Sequence, residues 1–325
     1  MLNKLFIGLL IGCFSVCYCR AQDIYIPRFT NINPVSYTDV VYTGIKDTVL
    51  ISTYSGRISR IINGDLKEKV IAKIDDEIYA LAYNPKSNTI AAATLENGIL
   101  LIDGKSGKII RQLPLPSSWA VTINYSDNYQ YLFTYDQNRQ RYIWDVSNSY
   151  KQIQLKDDLP KGIIIRIDRK DIATIIGTDK IVFWDLKNNA LQKEWAVTID
   201  KFGDLDSQGN VLSINFNECV KYNTNKKAIE FKLKHPNWPL PNPENPKEVY
   251  DIPCQMEITA AKFSRNKIYT GSIDRTVRVW DKNTGKLITT LTGHKGSVSK
   301  VKVSANEKQV VSVDLKGVIK FWNVE

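Results

Sequence analysis

The sequence holds only two histidines and two methionines in 325 residues, and three of its five cysteines crowd into positions 13–19. Two histidines far apart, His235 and His294, give no ligand spacing for a zinc or iron site. No Gly-rich phosphate loop, nucleophile elbow or paired-cysteine metal motif is present, so the common signatures of cofactor and metal chemistry are missing. Beyond the first twenty residues there is no long apolar run, and hence no transmembrane span is expected. Basic residues are never interleaved with aromatics in a run, which argues against a nucleic-acid surface.

The N-terminus is different. Lys4 precedes an apolar stretch from Leu5 to Val16, and Cys19-Arg20-Ala21 offers a small-residue cleavage site before Gln22. Residues 1–22 therefore read as a secretory signal peptide, and an exported protein, periplasmic or extracellular, is expected. Leu10-Ile11-Gly12-Cys13 supports an alternative, a lipoprotein anchored through Cys13, although the residues after it are apolar where a polar tether is usual. Loss of 1–22 leaves Cys219 and Cys254, which could form one disulfide or stay as two buried thiols. The formal charge of +10 falls by two, to +8, with Lys4 and Arg20 removed. That balance favours anionic partners, but the charges are scattered. The acidic clusters Asp75-Asp76-Glu77 and Asp157-Asp158 read as solvated turns, with calcium binding the weaker alternative.

The rest of the chain is periodic. Short alternating apolar runs are separated by Gly, Asn, Asp and Ser, the pattern of an all-β protein. Seven times an apolar or aromatic residue followed by Asp or Asn ends a run: Ile62-Asn63, Ile102-Asp103, Trp144-Asp145, Trp184-Asp185, Tyr222-Asn223, Trp280-Asp281 and Trp322-Asn323. The spacings are 40, 42, 40, 38, 58 and 42, a near-constant period with one insertion. The large residue is expected to be buried on a third strand, and the Asp or Asn to start the turn to a fourth by bonding its own backbone. The long interval contains five prolines between His235 and Pro246, which predicts an unpaired, extended loop over about 235–256.

The pattern Ser272-x-Asp274-x-Thr276-x-x-x-Trp280-Asp281 followed by Gly293-His294 resembles the WD-repeat family. The resemblance implies a seven-bladed β-propeller of four-stranded antiparallel blades over residues 23–325. It also implies that the ring is closed by an N-terminal strand, Ile24 to Phe29, added to the last blade. By analogy with the family, His235, Ser272, Asp274 and Trp280 would tie one blade together. His294, Ser312, Asp314 and Trp322 would tie the next, and Trp144 and Trp184 would fill the same position in others. A His–Asp–Ser set resembles a hydrolase triad on paper, yet in this family it is scaffolding. No cofactor, metal or catalytic residue is expected.

Such propellers commonly present a loop face to partners. Trp119, Trp195 and Trp238, which miss the third-strand position, are candidate contacts. So are Arg139 and Arg141, which with Arg57 and Lys180 would make that face basic. The expected function is a non-enzymatic protein-interaction scaffold of a bacterial cell envelope. A binding module for an anionic glycan or envelope ligand is the alternative, and a propeller hydrolase or lyase the third reading.

Overall fold

A computed structural model describes residues 36–65, 67–156, 158–245 and 247–323, all within the compact unit Asn33–Glu325. All regular structure among the described residues is β-strand. Seven antiparallel sheets follow one another along the chain, spanning residues 37–73, 78–113, 124–152, 163–196, 201–234, 258–291 and 298–323. They are blades 1 to 7. Blades 1 to 6 have four strands in sequence order and blade 7 has three among the described residues. First strands of most neighbouring blades meet around the centre, blades 4 and 5 share an apolar cluster, and blade 1 packs on blade 7, so the sheets form a ring.

The composition of each strand follows its radius. Second strands lie between neighbouring sheets with both faces covered; Thr48–Thr53, Thr89–Thr94 and Gln309–Asp314 are buried at every position. They therefore read as continuous apolar and small residues rather than as an alternation. Fourth strands such as Ile109–Leu113 and Ala190–Ala196 form the rim and are mostly exposed. Small residues allow close approach where blades touch. A Cβ at Gly271 would stand 2.7 Å from Val298 and 2.8 Å from Val301, so blade 6 can seat on blade 7 only without a side chain there.

The expected turns are present. The Asp103 carboxylate accepts from Lys105 and Ser106, Asp145 from Ser147 and Asn148, Asp185 from Lys187 and Asn188, and Asp281 from Asn283 and Thr284. The Asn223 side-chain oxygen does the same for Asn225 and Lys226. Blade 1 departs from the spacing. There the buried third-strand residue is Ile61, 2 % exposed and paired with Val49, whereas Ile62 is 45 % exposed. The sequence spacing points one residue too far along because three apolar residues, Ile58, Ile61 and Ile62, share that strand.

Two further expectations are corrected. The proline-rich insertion is not an unpaired loop: Trp238–Pro241 and Val249–Cys254 form a two-stranded ribbon, with the register shifting between Trp238 and Leu240. Both strands of such a ribbon are edges, where proline loses no ladder bond if its nitrogen faces outward. Asp76 and Glu77 are not a solvated turn: they are 4 % and 8 % exposed. Asp76 accepts from the backbone of Glu77, Glu96 and Asn97 and from the Asn97 amide; burial would raise its carboxyl, but the bonds from Asn97 and Glu96 hold it below the usual range. Cys219 is a free, fully buried thiol, and burial pushes its pKa far up. The expected signal peptide 1–22, the expected closing strand Ile24 to Phe29 and Asp157 lie outside the described residues.

Candidate functional site

Blade 7 carries the predicted hydrogen-bonded set. His294 Nε2 meets Ser312 Oγ at 2.7 Å, Trp322 Nε1 donates to the same oxygen at 2.8 Å, and His294 Nδ1 lies 3.1 Å from Asp314. Only one proton arrangement satisfies every atom: Nδ1–H donates to Asp314, the Ser312 hydroxyl donates to Nε2, and the Trp322 N–H fills the hydroxyl's lone pair. Asp314 also accepts the backbone N–H groups of Lys295, Gly296, Lys316 and Val318. Burial would raise this carboxyl, but those four bonds keep it below its ordinary value. Ser312 is fully buried, so its oxygen cannot meet a substrate.

Blade 6 repeats the arrangement with one change. His235 Nε2 lies 2.7 Å from Thr270 Oγ1, which takes the Trp280 N–H at 2.8 Å, while His235 Nδ1 faces Asp274 at 3.1 Å. Arg278 also donates to Asp274. The predicted Ser272 is not in this set; its hydroxyl donates to the Met256 carbonyl and accepts from the Asp274 N–H. The missed residue was legible: Ser312 precedes Trp322 by ten, and ten before Trp280 is Thr270. We expect Thr270→Val to destabilise the protein by about 2–4 kcal/mol, since His235 and Trp280 each lose a buried partner. Ser272→Ala should cost about 1 kcal/mol. Urea midpoints compare the two, and a larger loss for Ser272→Ala would reverse the assignment.

Trp144 is 2 % exposed and stacks on Tyr142 at 5.9 Å, whose hydroxyl donates to buried Asp136. Trp184 is half-buried and its indole N–H is buried without a partner among the described residues. These two blades carry the tryptophan without a histidine.

The turns between second and third strands share one face of the ring with the connections from one blade to the next, because first and third strands start there. This upper face bears the 238–254 ribbon and Trp119. Three half-buried rings from three successive blades line up on it: Tyr54 meets Tyr79 edge-on at 5.7 Å, and Tyr79 stacks on Trp119 at 6.3 Å. Tyr79 is fixed by its hydroxyl, which donates to Glu77 at 2.6 Å. The row combines apolar area with rigid rings, a composition typical of interface anchors.

The other candidates separate. Trp195 is not in a connecting loop but in the outer strand Ala190–Ala196, paired with Ile181. Its ring packs edge-on against Phe183 at 4.6 Å with the Lys193 ammonium 4.1 Å from its centre, so it serves blade 4. The Trp238 side chain lies outside the described residues. Arg141 donates to the Pro160 carbonyl and is half-buried, and burial lowers its pKa. Arg57 pairs with Glu68 at 2.7 Å and Lys180 with Glu194 at 2.9 Å. Two of the four cations expected on that face are thereby neutralised, while Arg141 keeps its charge against a carbonyl and Arg139 stays exposed at the tip of its turn.

The comparisons agree with this architecture. Residues 247–281 and 285–323 match the family model "WD domain, G-beta repeat", and residues 60–172 match the model "SdiA-regulated". A curated Drosophila grimshawi protein, "WD repeat-containing protein on Y chromosome", is 35% identical over 77 residues, 23% of this chain and 7% of its own length. The match thus spans a small part of that relative. The crystal structure of the WD40 β-propeller domain of Doa1 superposes with a TM-score of 0.65 at 12% identity, covering 90% of this chain and 94% of that one.

Proposed function

From a chain that is a seven-bladed WD-repeat β-propeller, we propose a docking scaffold of a bacterial cell envelope that binds a protein partner on its upper face. The fold supports a protein-interaction role. The observation that carries the site is the row Tyr54, Tyr79 and Trp119, which crosses three blades on the face that also bears the 238–254 ribbon. Export rests on the signal-like composition of residues 1–22.

The test is affinity for the partner recovered by cross-linking to the intact protein in its own cells. Trp119→Ala with Tyr79→Ala should weaken it by about a hundredfold, the scale of a two-residue hot spot. Arg141→Gln should change it little, since that guanidinium is already bound to Pro160. Undiminished affinity in the aromatic double variant would sink the docking face. The second reading, binding of an anionic glycan or envelope ligand, is favoured by the charge of +8 expected once residues 1–22 are removed and by a basic hollow on the opposite face.

A further inference from the structure

The turns between first and second strands open on the lower face. Two hollows adjoin there and share Asp127 and Tyr129. The larger, about 550 Å³, lies between blades 3 and 4 and is lined by Arg166, Asp168, Arg169 and Lys170 as well. The smaller, about 230 Å³, enters the central channel and reaches Lys302 of blade 7. Together they fall within the usual size of small-molecule sites, roughly 300–1,000 Å³.

The charges here are not balanced. Asp127 is taken by Arg166, at 2.5 and 3.0 Å. Asp168 accepts the backbone N–H groups of Lys170 and Ile172 that close its turn. Arg169 and Lys170 are exposed and have no side-chain partner among the described residues, nor has the half-buried Lys302. Burial, with Lys262 and Lys300 nearby, lowers the Lys302 pKa despite the attraction of Asp39 and Asp204, so an added anion would relieve it.

The second observation concerns Tyr129. Six of the seven first-to-second turns hold a residue in the left-handed region, and in five it is Asp47, Asn88, Asp171, Gly209 or Glu307. Those are small or polar residues, mostly of types that reach this conformation readily. Blade 3 alone places an aromatic there: Tyr129 has φ of 64°. A bulky side chain in that conformation is strained, and such strain is concentrated at functional sites. Tyr129, with its left-handed backbone, lines both hollows.

We propose that this lower-face site binds a short acidic saccharide, with a sugar ring against Tyr129 and its anionic groups held by Arg169, Lys170 and Lys302. The proposal rests on the second reading above and is independent of the docking face. An aromatic ring offers an apolar plane to the C–H face of a sugar, and unpaired cations on either side supply charge-assisted bonds to carboxylates.

Calorimetric titration of the intact protein with trigalacturonate, maltotriose and inorganic phosphate tests it. Trigalacturonate should bind at least about tenfold tighter than the neutral sugar and than phosphate, and should weaken between about 25 and 200 mM salt. Arg169→Gln and Lys302→Gln should each lower the affinity by about three- to tenfold. Tyr129→Asn should lower it by about tenfold while leaving the melting temperature unchanged or higher, because strain is removed. Trp119→Ala should leave it intact. No heat with trigalacturonate, or equal affinity for maltotriose, overturns both this site and the glycan reading. Tight trigalacturonate binding unaffected by Tyr129→Asn and Lys302→Gln overturns this site alone. A lower melting temperature in Tyr129→Asn would assign the ring to packing and remove the argument from strain.

Discussion

Replacing Asp314 by alanine should cost about 4 kcal/mol, a large share of the roughly 5–15 kcal/mol that holds a domain together. The figure follows from the number of donors left without an acceptor. One fully buried carboxylate receives four backbone N–H groups and the His294 ring N–H. Each orphaned buried donor costs about 1–3 kcal/mol, reduced where water can enter the space left behind. Asp314→Asn keeps one oxygen, and should fall midway. Urea unfolding near neutral pH measures both, and a loss under about 1 kcal/mol for Asp314→Ala would show that the bonds do not organise blade 7.

The second large effect is acid sensitivity. His235 and His294 both have lowered pKa values, chiefly through burial, helped at His235 by Arg278 and at His294 by Lys320, and opposed by Asp274 and Asp314. A histidine whose folded pKa lies below its unfolded value, about 6.5, favours the native state fully above that pH. Below it the unfolded chain takes up protons that the folded one refuses. Stability should therefore fall by up to about 1.4 kcal/mol per pH unit for each histidine, until pH passes the folded values. Because the chain has two histidines and the lowered carboxylates Asp274 and Asp314 act below the usual carboxylate range, the window from pH about 6.5 to 5 isolates them. Denaturation midpoints across that window should decline steadily in the native sequence and about half as steeply in His294→Asn. A flat profile would show that the two rings do not titrate on unfolding.

The ring was legible because a propeller repeats one physical problem. Most blades set a large buried or half-buried residue on the third strand and follow it with a side-chain oxygen that starts the next turn, so the period near 40 survives even where the signature tryptophan is replaced by Tyr222 or Ile102. Thr270 shares its ten-residue spacing before tryptophan with Ser312, but Ser272 sits inside the more conspicuous motif and hides it. The other features that escape have no period to reveal them. The ribbon 238–254 escaped because proline argues against pairing in a central strand but not at an edge. Position alone puts Trp119 on the partner face but says nothing of Tyr54 and Tyr79, since three rings from three blades become neighbours only when the ring is built. Tyr129 gave no signal until six turns could be compared by backbone conformation.

The contact between the first and last blades has a further consequence. Val40 and Ile51 pack against Val311 and Val313, Ser36 donates to the Leu315 carbonyl 279 residues away, and Ser299 and Gln309 reach Tyr37 and Asp47, each 262 residues away. Among the described residues the other main blade-to-blade contacts join blades that follow one another in the chain. This one closes a loop of nearly the whole molecule, so its entropy must be surrendered before any of its contacts forms. Six junctions can assemble locally as the chain emerges from synthesis, while the seventh waits for the C-terminus. Refolding should thus run through an open arc whose two raw blade faces meet last, and the same junction is where the closed molecule would first part.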